Sequence, residues 1–403
     1  MHIRLNLLAA ATGLALSTAA SAQSADRPWY VGLTQDFTRE SNPLGLPPGS
    51  SERSDTLSTT TLRGGLNQPF GRQRAYANAV LNYERYNDFS ERDNKNYAIG
   101  AGLDWSTAER LSGNVTINAN QQQSDFIVGG VIPVSVSNIE RSEDLNARVR
   151  LGVVTAMGFD ASLGTRQVSF SQPEYASREY KQDTATLGIS YRTSGILSLG
   201  AGFRGERTRY RSAAPGQTEP DQSDRQDFYV VADWVPTGAS TVNARLFFGK
   251  IEYKLATAAD FDGMAGSLVW AWQPTGQLNL RTTLSRDSGL DSGYLRLDES
   301  GTVSATDFSQ LTNALTIRAD YLVTGKVTLT GGFGYEKRDF VNGFTGATGN
   351  DDTRRVSLGA RWAATRTLAF GCNASRESRS ASGFGSSPYD NDRFGCFGQI
   401  ALD

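Results

Sequence analysis

The 403-residue chain contains one histidine, two cysteines, three methionines and twelve prolines. The single histidine is His2. Without further imidazoles there is no Ser-His-Asp or Cys-His catalytic set, no histidine-ligated zinc, and no general base titrating near neutral pH. Cys372 and Cys396 are too few for a thiolate metal centre. A phosphate-cradling loop and a dinucleotide fingerprint in strand–turn–helix context are also lacking. The chain is not expected to be an enzyme, nor to carry a metal or a cofactor.

Long apolar runs are scarce as well. Beyond residue 24 no stretch reaches the roughly 18 apolar residues of a membrane helix. Hydrophobic residues make up 38%, below the roughly 45–50% of an ordinary globular chain, so a soluble core of matching size would be hard to build. Lys+Arg 40 and Asp+Glu 42 nearly cancel, which leaves no overall field for a nucleic acid. Only six of the 40 cations are lysine, so the cationic chemistry is almost wholly guanidinium.

The N-terminus reads as a secretory signal peptide over residues 1–22. Arg4 supplies a basic start and residues 5–20 are apolar and alanine-rich. Ala20-Ser21-Ala22 gives the small-x-small cleavage pattern. No cysteine follows the cut, which argues against a lipoprotein.

Residues 23–403 show period-two alternation from end to end. Leu145, Ala147, Val149, Leu151 and Val153 alternate with Asn146, Arg148, Arg150 and Gly152. The same pattern runs through residues 97–105, 111–120, 278–287, 313–323, 327–336 and 356–363. In a strand this puts apolar residues on one face and polar residues on the other. Eight short turns alternate with nine long polar loops, near residues 41–54, 88–94, 124–141, 172–180, 212–224, 254–259, 288–306, 341–351 and 380–389. Seventeen connections require 18 strands, with 16 as the alternative. The fold expected is all-β: a transmembrane antiparallel up-and-down barrel with short periplasmic turns and long extracellular loops. Its apolar face meets lipid, and Trp29, Trp105, Trp234, Trp272 and Trp362 near strand ends fit an interfacial girdle.

The opposite parity lines the interior. Arg63, Arg150, Arg245, Arg281 and Arg318 lie about five or six residues from short turns, near mid-height; Arg148, Arg166 and Arg204 are somewhat higher, and Arg192 and Arg361 are nearer the periplasm. Asp104, Asp160, Asp233 and Asp320 lie two to four residues from short turns and make an acidic periplasmic mouth below an arginine belt. Such a belt could pass anions, because a guanidinium is weakly hydrated and matches a carboxylate bidentately. Equally, the arginines could pair with carboxylates to stiffen the wall, as Arg318 with Asp320 suggests. Inward Tyr30, Tyr76, Tyr86 and Tyr229 are stacking platforms or plain wall. Arg85, Arg207, Arg209, Arg211, Lys337, Arg338, Arg376 and Arg379 form an upper rim facing the outer leaflet and the loops, either solvated or touching lipopolysaccharide phosphates. Cys372 and Cys396 share outward parity on the last two strands and sit symmetrically about their loop, as a cross-strand disulfide or as two small thiols.

A signal peptide followed by a glycine- and arginine-rich 18-strand pattern resembles the EpsL-type outer-membrane barrels of exopolysaccharide operons. In layout it also resembles the alginate exporter. The resemblance implies Arg150, Arg245, Arg281 and Arg318 as lumen residues. It also implies export of an acidic exopolysaccharide as function, with polysaccharide, outer-membrane lipid and lipopolysaccharide, and periplasmic export machinery as partners. The alternative is a general or anion-preferring diffusion porin, monomeric or trimeric.

Overall fold

In the computed structural model, the described residues are 28–50, 54–107, 110–124, 137–152, 156–193, 195–213, 218–255, 260–296, 303–341, 346–383 and 386–402. The signal peptide expected over residues 1–22 lies outside them, as does most of the loop expected at 124–141.

Eighteen strands follow one another: β1 (Trp29–Glu40), β2 (Asp55–Phe70), β3 (Gln73–Tyr86), β4 (Asn94–Ser106), β5 (Leu111–Gln123) and β6 (Ile139–Leu151). Then come β7 (Met157–Phe170), β8 (Tyr180–Arg192), β9 (Leu197–Tyr210), β10 (Gln222–Thr237), β11 (Ser240–Tyr253) and β12 (Phe261–Trp272). The last are β13 (Leu278–Arg296), β14 (Val303–Thr324), β15 (Val327–Val341), β16 (Thr348–Ala363), β17 (Leu368–Gly383) and β18 (Tyr389–Leu402). Each pairs antiparallel with its sequence neighbour, and β1 pairs with β18 from Val31↔Leu402 to Glu40↔Arg393, which closes the barrel. Closure leaves no unpaired edge, the condition for a sheet to survive in hydrocarbon. The 18 strands and the alternation of short and long connections are those the sequence predicts. The β13–β14 hairpin is longer than expected: its pairing runs to Arg296↔Val303, through most of what reads in sequence as loop 288–306.

Side-chain parity sets the two faces. On β18, Leu402, Ile400 and Phe394 point outward and are more than half exposed, with Asp392 next above them. On β16, Trp362, Leu358 and Val356 do the same, with Arg354 above. Eight residues from Leu402 to Phe394, at about 3.4 Å each along a tilted strand, give an apolar band somewhat over 20 Å tall. Trp29, Trp234, Trp272 and Trp362 are outward at the periplasmic ends of their strands.

Cys372 and Cys396 are directly opposed in register and joined by a disulfide on the outward face of β17–β18. The loop it closes is 24 residues, so chain entropy sets an upper bound of about 3 kcal/mol on its contribution. Cys372→Ser with Cys396→Ser is expected to lower the unfolding temperature slightly without changing conduction. An unchanged midpoint would show that strand pairing alone already fixes this hairpin.

Candidate functional site

The interior wall is built by the polar parity of every strand, and register decides which charges meet. Arg148 on β6 reaches Asp160 on β7 at 3.2 Å, and Arg166 on β7 reaches Asp144 on β6 at 3.9 Å. Arg204 on β9 binds Asp227 on β10 through Nε at 2.7 Å, and its guanidinium stands 4.0 Å over the Phe247 ring. Asp227 is shared with Arg225, which also lies 4.0 Å from Asp287 on β13. Arg318 donates to Asp320 two residues along β14 at 3.0 Å, and Thr330 donates to the same carboxylate. These arginines belong to the wall: each has its field largely cancelled by a partner.

A second set stands apart. Among the described residues, no carboxylate lies within 4.0 Å of Arg63, Arg150, Arg245 or Arg281, the criterion that every pair above meets. Arg281 is opposed in register to Arg318, a like-charge cross-strand pair that is unfavourable without an intervening anion. Arg245 lies within electrostatic reach of Arg148, Arg204, Asp233 and Tyr229. The acid in that group, Asp233, accepts from Asn243 at 2.8 Å. Arg63 runs along β1 over Gly32, and its Nε is buried with no hydrogen-bond partner.

Two expectations change. Arg150 is not at mid-height: Gly152 takes a φ of 91°, β6 ends at Leu151, and Arg150 faces Asp160 across the β6–β7 pair near the periplasmic end. Acid and base are also not layered. Arg74, Arg148, Arg150, Arg192, Arg245, Arg281, Arg318 and Arg361 all face inward within six residues of the periplasmic strand ends, beside Asp104, Asp160, Asp233 and Asp320. Among the described residues, the periplasmic end of the lumen therefore carries more arginines than carboxylates. Arg74 escaped the sequence reading because it directly follows a turn; its Tyr76 neighbour, two residues on, carried the parity signal. It sits 3.5 Å from Asp104.

The upper end differs in character. Arg338 and Arg379, expected on the rim, share the inward parity of Arg318 and converge on Asp351. Arg338 Nε donates to that carboxylate at 2.9 Å, Arg379 Nε lies at 3.8 Å, and the Ser386 hydroxyl donates at 2.5 Å. Asp351 is fully buried. Arg355 and the Tyr389 hydroxyl meet Glu377 in the same sector, and Arg393 meets Glu40 at 3.5 Å. Asp55 accepts from the amides of Asp88 and Phe89 and so ties neighbouring extracellular loops together. Outside, Arg207–Asp224 at 2.6 Å and Arg209–Asp183 at 2.9 Å form exposed pairs.

A closed barrel with an even number of strands, lipid-facing apolar residues and a charged interior is an outer-membrane pore-forming barrel, and it resides in the bacterial outer membrane. At 18 strands such a barrel is wide enough to enclose an aqueous path. The family model described as "Putative beta-barrel porin 2" matches residues 248–396, from β11 through β18. No curated protein matches the chain. Among solved structures, Pseudomonas aeruginosa OccK2 (OpdF) is similar with a TM-score of 0.47 and 13% identity, over 93% of this chain and 98% of that one. Pseudomonas aeruginosa OpdK gives 0.46 and 12% over 93% and 99%, and OccK5 (OpdH) of the same organism gives 0.44 and 10% over 93% and 98%. The family description is that of a porin and does not extend to polysaccharide export.

Proposed function

We propose that this barrel is a diffusion pore preferring small anionic solutes. The observation that carries the reading is the lumen-facing set Arg63, Arg150, Arg245 and Arg281, which has no carboxylate partner among the described residues, while Arg148, Arg166, Arg204 and Arg318 are paired. A paired arginine offers a passing anion little net field, whereas an unpaired one lowers its energy directly. Several moderate sites spread around the wall suit transit better than one deep site, because an ion must leave as well as enter.

Purified protein in liposomes should admit an acidic monosaccharide faster than a neutral one of the same size, and both faster than a cationic amino sugar. Equal swelling rates for all three would refute charge preference. A second reading is favoured by the excess of arginines at the periplasmic end, where an exported acidic polysaccharide would engage the barrel. It requires that a strain lacking the gene retain polymer; normal secretion from that strain would remove it and leave solute diffusion.

A further inference from the structure

One sector of the lumen wall is nearly free of charge and rich in side-chain amides. Ile99, Leu103, Ile117 and Leu145 face outward, so the alternate residues of β4, β5 and β6 face the lumen. Across β3, β4 and β5 the register sets Tyr76 beside Gly102 and Thr116, and Asn78 beside Gly100 and Asn118. Above them Val80 stands beside Ala98 and Asn120, and Asn82 beside Asn96. These rows cover about 20 Å along the strands and about 10 Å across them. Arg74 with Asp104 bounds the field below, and Glu84 bounds it above. Arg63 of β2 borders it on one side, opposite Val80, and Asp144 of β6 on the other, opposite Asn118.

Asparagine is disfavoured in strands, whereas threonine is favoured and would wet a wall equally well. The lumen face of β8 is built that way, with Thr184, Thr186 and Ser190. On β3–β6 asparagine takes these positions, and four of its amides hold nothing in the wall. The side chains of Asn78, Asn118, Asn120 and Asn146 make no hydrogen bond among the described residues. Amides at the top of β3 and β4 do serve the wall: Asn82 accepts from Thr61 at 2.9 Å, and Asn94 donates to Glu84 at 3.0 Å. Asn78 and Asn118 lean over Gly100 from either side, where a Cβ would lie 3.0 and 3.1 Å from their Oδ1 atoms. Two acceptors thus converge on a floor with no side chain to donate to them. Asn146 leans over Gly164 in the same way, its Nδ2 3.1 Å from where a Cβ would stand.

We propose that the β3–β6 wall is a lane for uncharged, hydroxyl-rich solutes, on which a neutral oligosaccharide lies along the strands and exchanges hydrogen bonds with Asn78, Asn118, Asn120 and Asn146. An amide offers two donors and an acceptor, which matches a hydroxyl that both donates and accepts. Each such bond contributes little against water. Several in a row therefore hold a chain while letting each sugar unit leave, as transit requires. The lane uses none of the four unpaired arginines, so it goes beyond the anion-preferring reading and stands or fails separately from it.

The test uses the full-length protein in planar bilayers, with potassium chloride current reduced by maltotetraose, cellotetraose or a poly(ethylene glycol) of equal size. The polymer is neutral but carries no row of hydroxyl donors, so it reports size exclusion. At least one tetraose should half-block at a concentration about tenfold or more below the polymer, the scale of a few weak hydrogen bonds. Block by both tetraoses no stronger than by the polymer overturns the lane, and this comparison needs no variant. Changing Asn78, Asn118, Asn120 and Asn146 together to threonine keeps the wall neutral and hydroxylated in a residue that favours strands. The gap should then close while the reversal potential stays unchanged; a gap that survives overturns the assignment to these amides. Should that variant not insert, Asn118→Thr with Asn120→Thr on β5 alone should shrink the gap about threefold, and an undiminished gap overturns the assignment equally. The direction of the reversal potential bears on anion preference alone, so the two readings fail separately.

Discussion

Replacing Arg63, Arg150, Arg245 and Arg281 together with glutamine is expected to reduce the anion-to-cation permeability ratio at least about tenfold. Each unpaired guanidinium is worth on the order of 1 kcal/mol to an ion 4 Å away even at the dielectric of water, and 1.4 kcal/mol is a factor of ten. The effect acts twice, since the same charges attract anions and repel cations. The matched control changes Arg148, Arg166, Arg204 and Arg318 to glutamine. There the carboxylates Asp160, Asp144, Asp227 and Asp320 lose their partners, so the control should both weaken the wall and turn selectivity toward cations. If the first variant kept its anion preference, the unpaired arginines would not be the source of selectivity.

Asp351→Ala is expected to have the largest effect on stability. Its carboxylate is fully buried and is the meeting point of Arg338, Arg379 and Ser386. Removing one member of a buried ionic cluster leaves charge that neither water nor protein compensates, at a cost of about 3–5 kcal/mol. The folded-to-unfolded mobility change on heating should shift to markedly lower temperature, and the 346–351 and 386–391 segments should become open to protease. Asp351→Asn should fall between, because the amide oxygen still accepts one hydrogen bond. Selectivity should not move, since the cluster lies twelve residues above the periplasmic end of β16. An unchanged melting profile in Asp351→Ala would mean that loop contacts such as Asn42 with Leu46 and Asp390 hold the extracellular end without it.

The barrel was legible in the sequence because its grammar is local. Alternation fixes the face of every strand residue, and turn length fixes which end is which. Parity therefore placed Arg63, Arg245 and Arg281 in the lumen and set Cys372 opposite Cys396. Pairing was not legible, because it depends on register between strands and on rotamers. Arg148 and Arg150 share a face, a strand and a spacing, yet only Arg148 reaches Asp160. Arg150 lies lower than its spacing predicts because Gly152 leaves the strand in a left-handed conformation, three residues before the expected turn. Arg338 and Arg379 look like rim residues from their position near strand tops, although within their own strands they alternate with outward Leu329 and Phe333 on β15 and outward Phe370 on β17, which already points them inward. The acidic mouth dissolved for the same reason: aspartates near turns stand out in sequence, but the arginines on adjacent strands become their neighbours only once the sheet is paired.

The most direct test of an anion-preferring lumen is the reversal potential of the unmodified protein in a planar bilayer under a tenfold potassium chloride gradient. A reversal potential displaced toward the chloride equilibrium value is the predicted result. Displacement toward the potassium value would contradict it, and would show that the carboxylates of the upper wall, rather than Arg63, Arg150, Arg245 and Arg281, set the field that a passing ion meets.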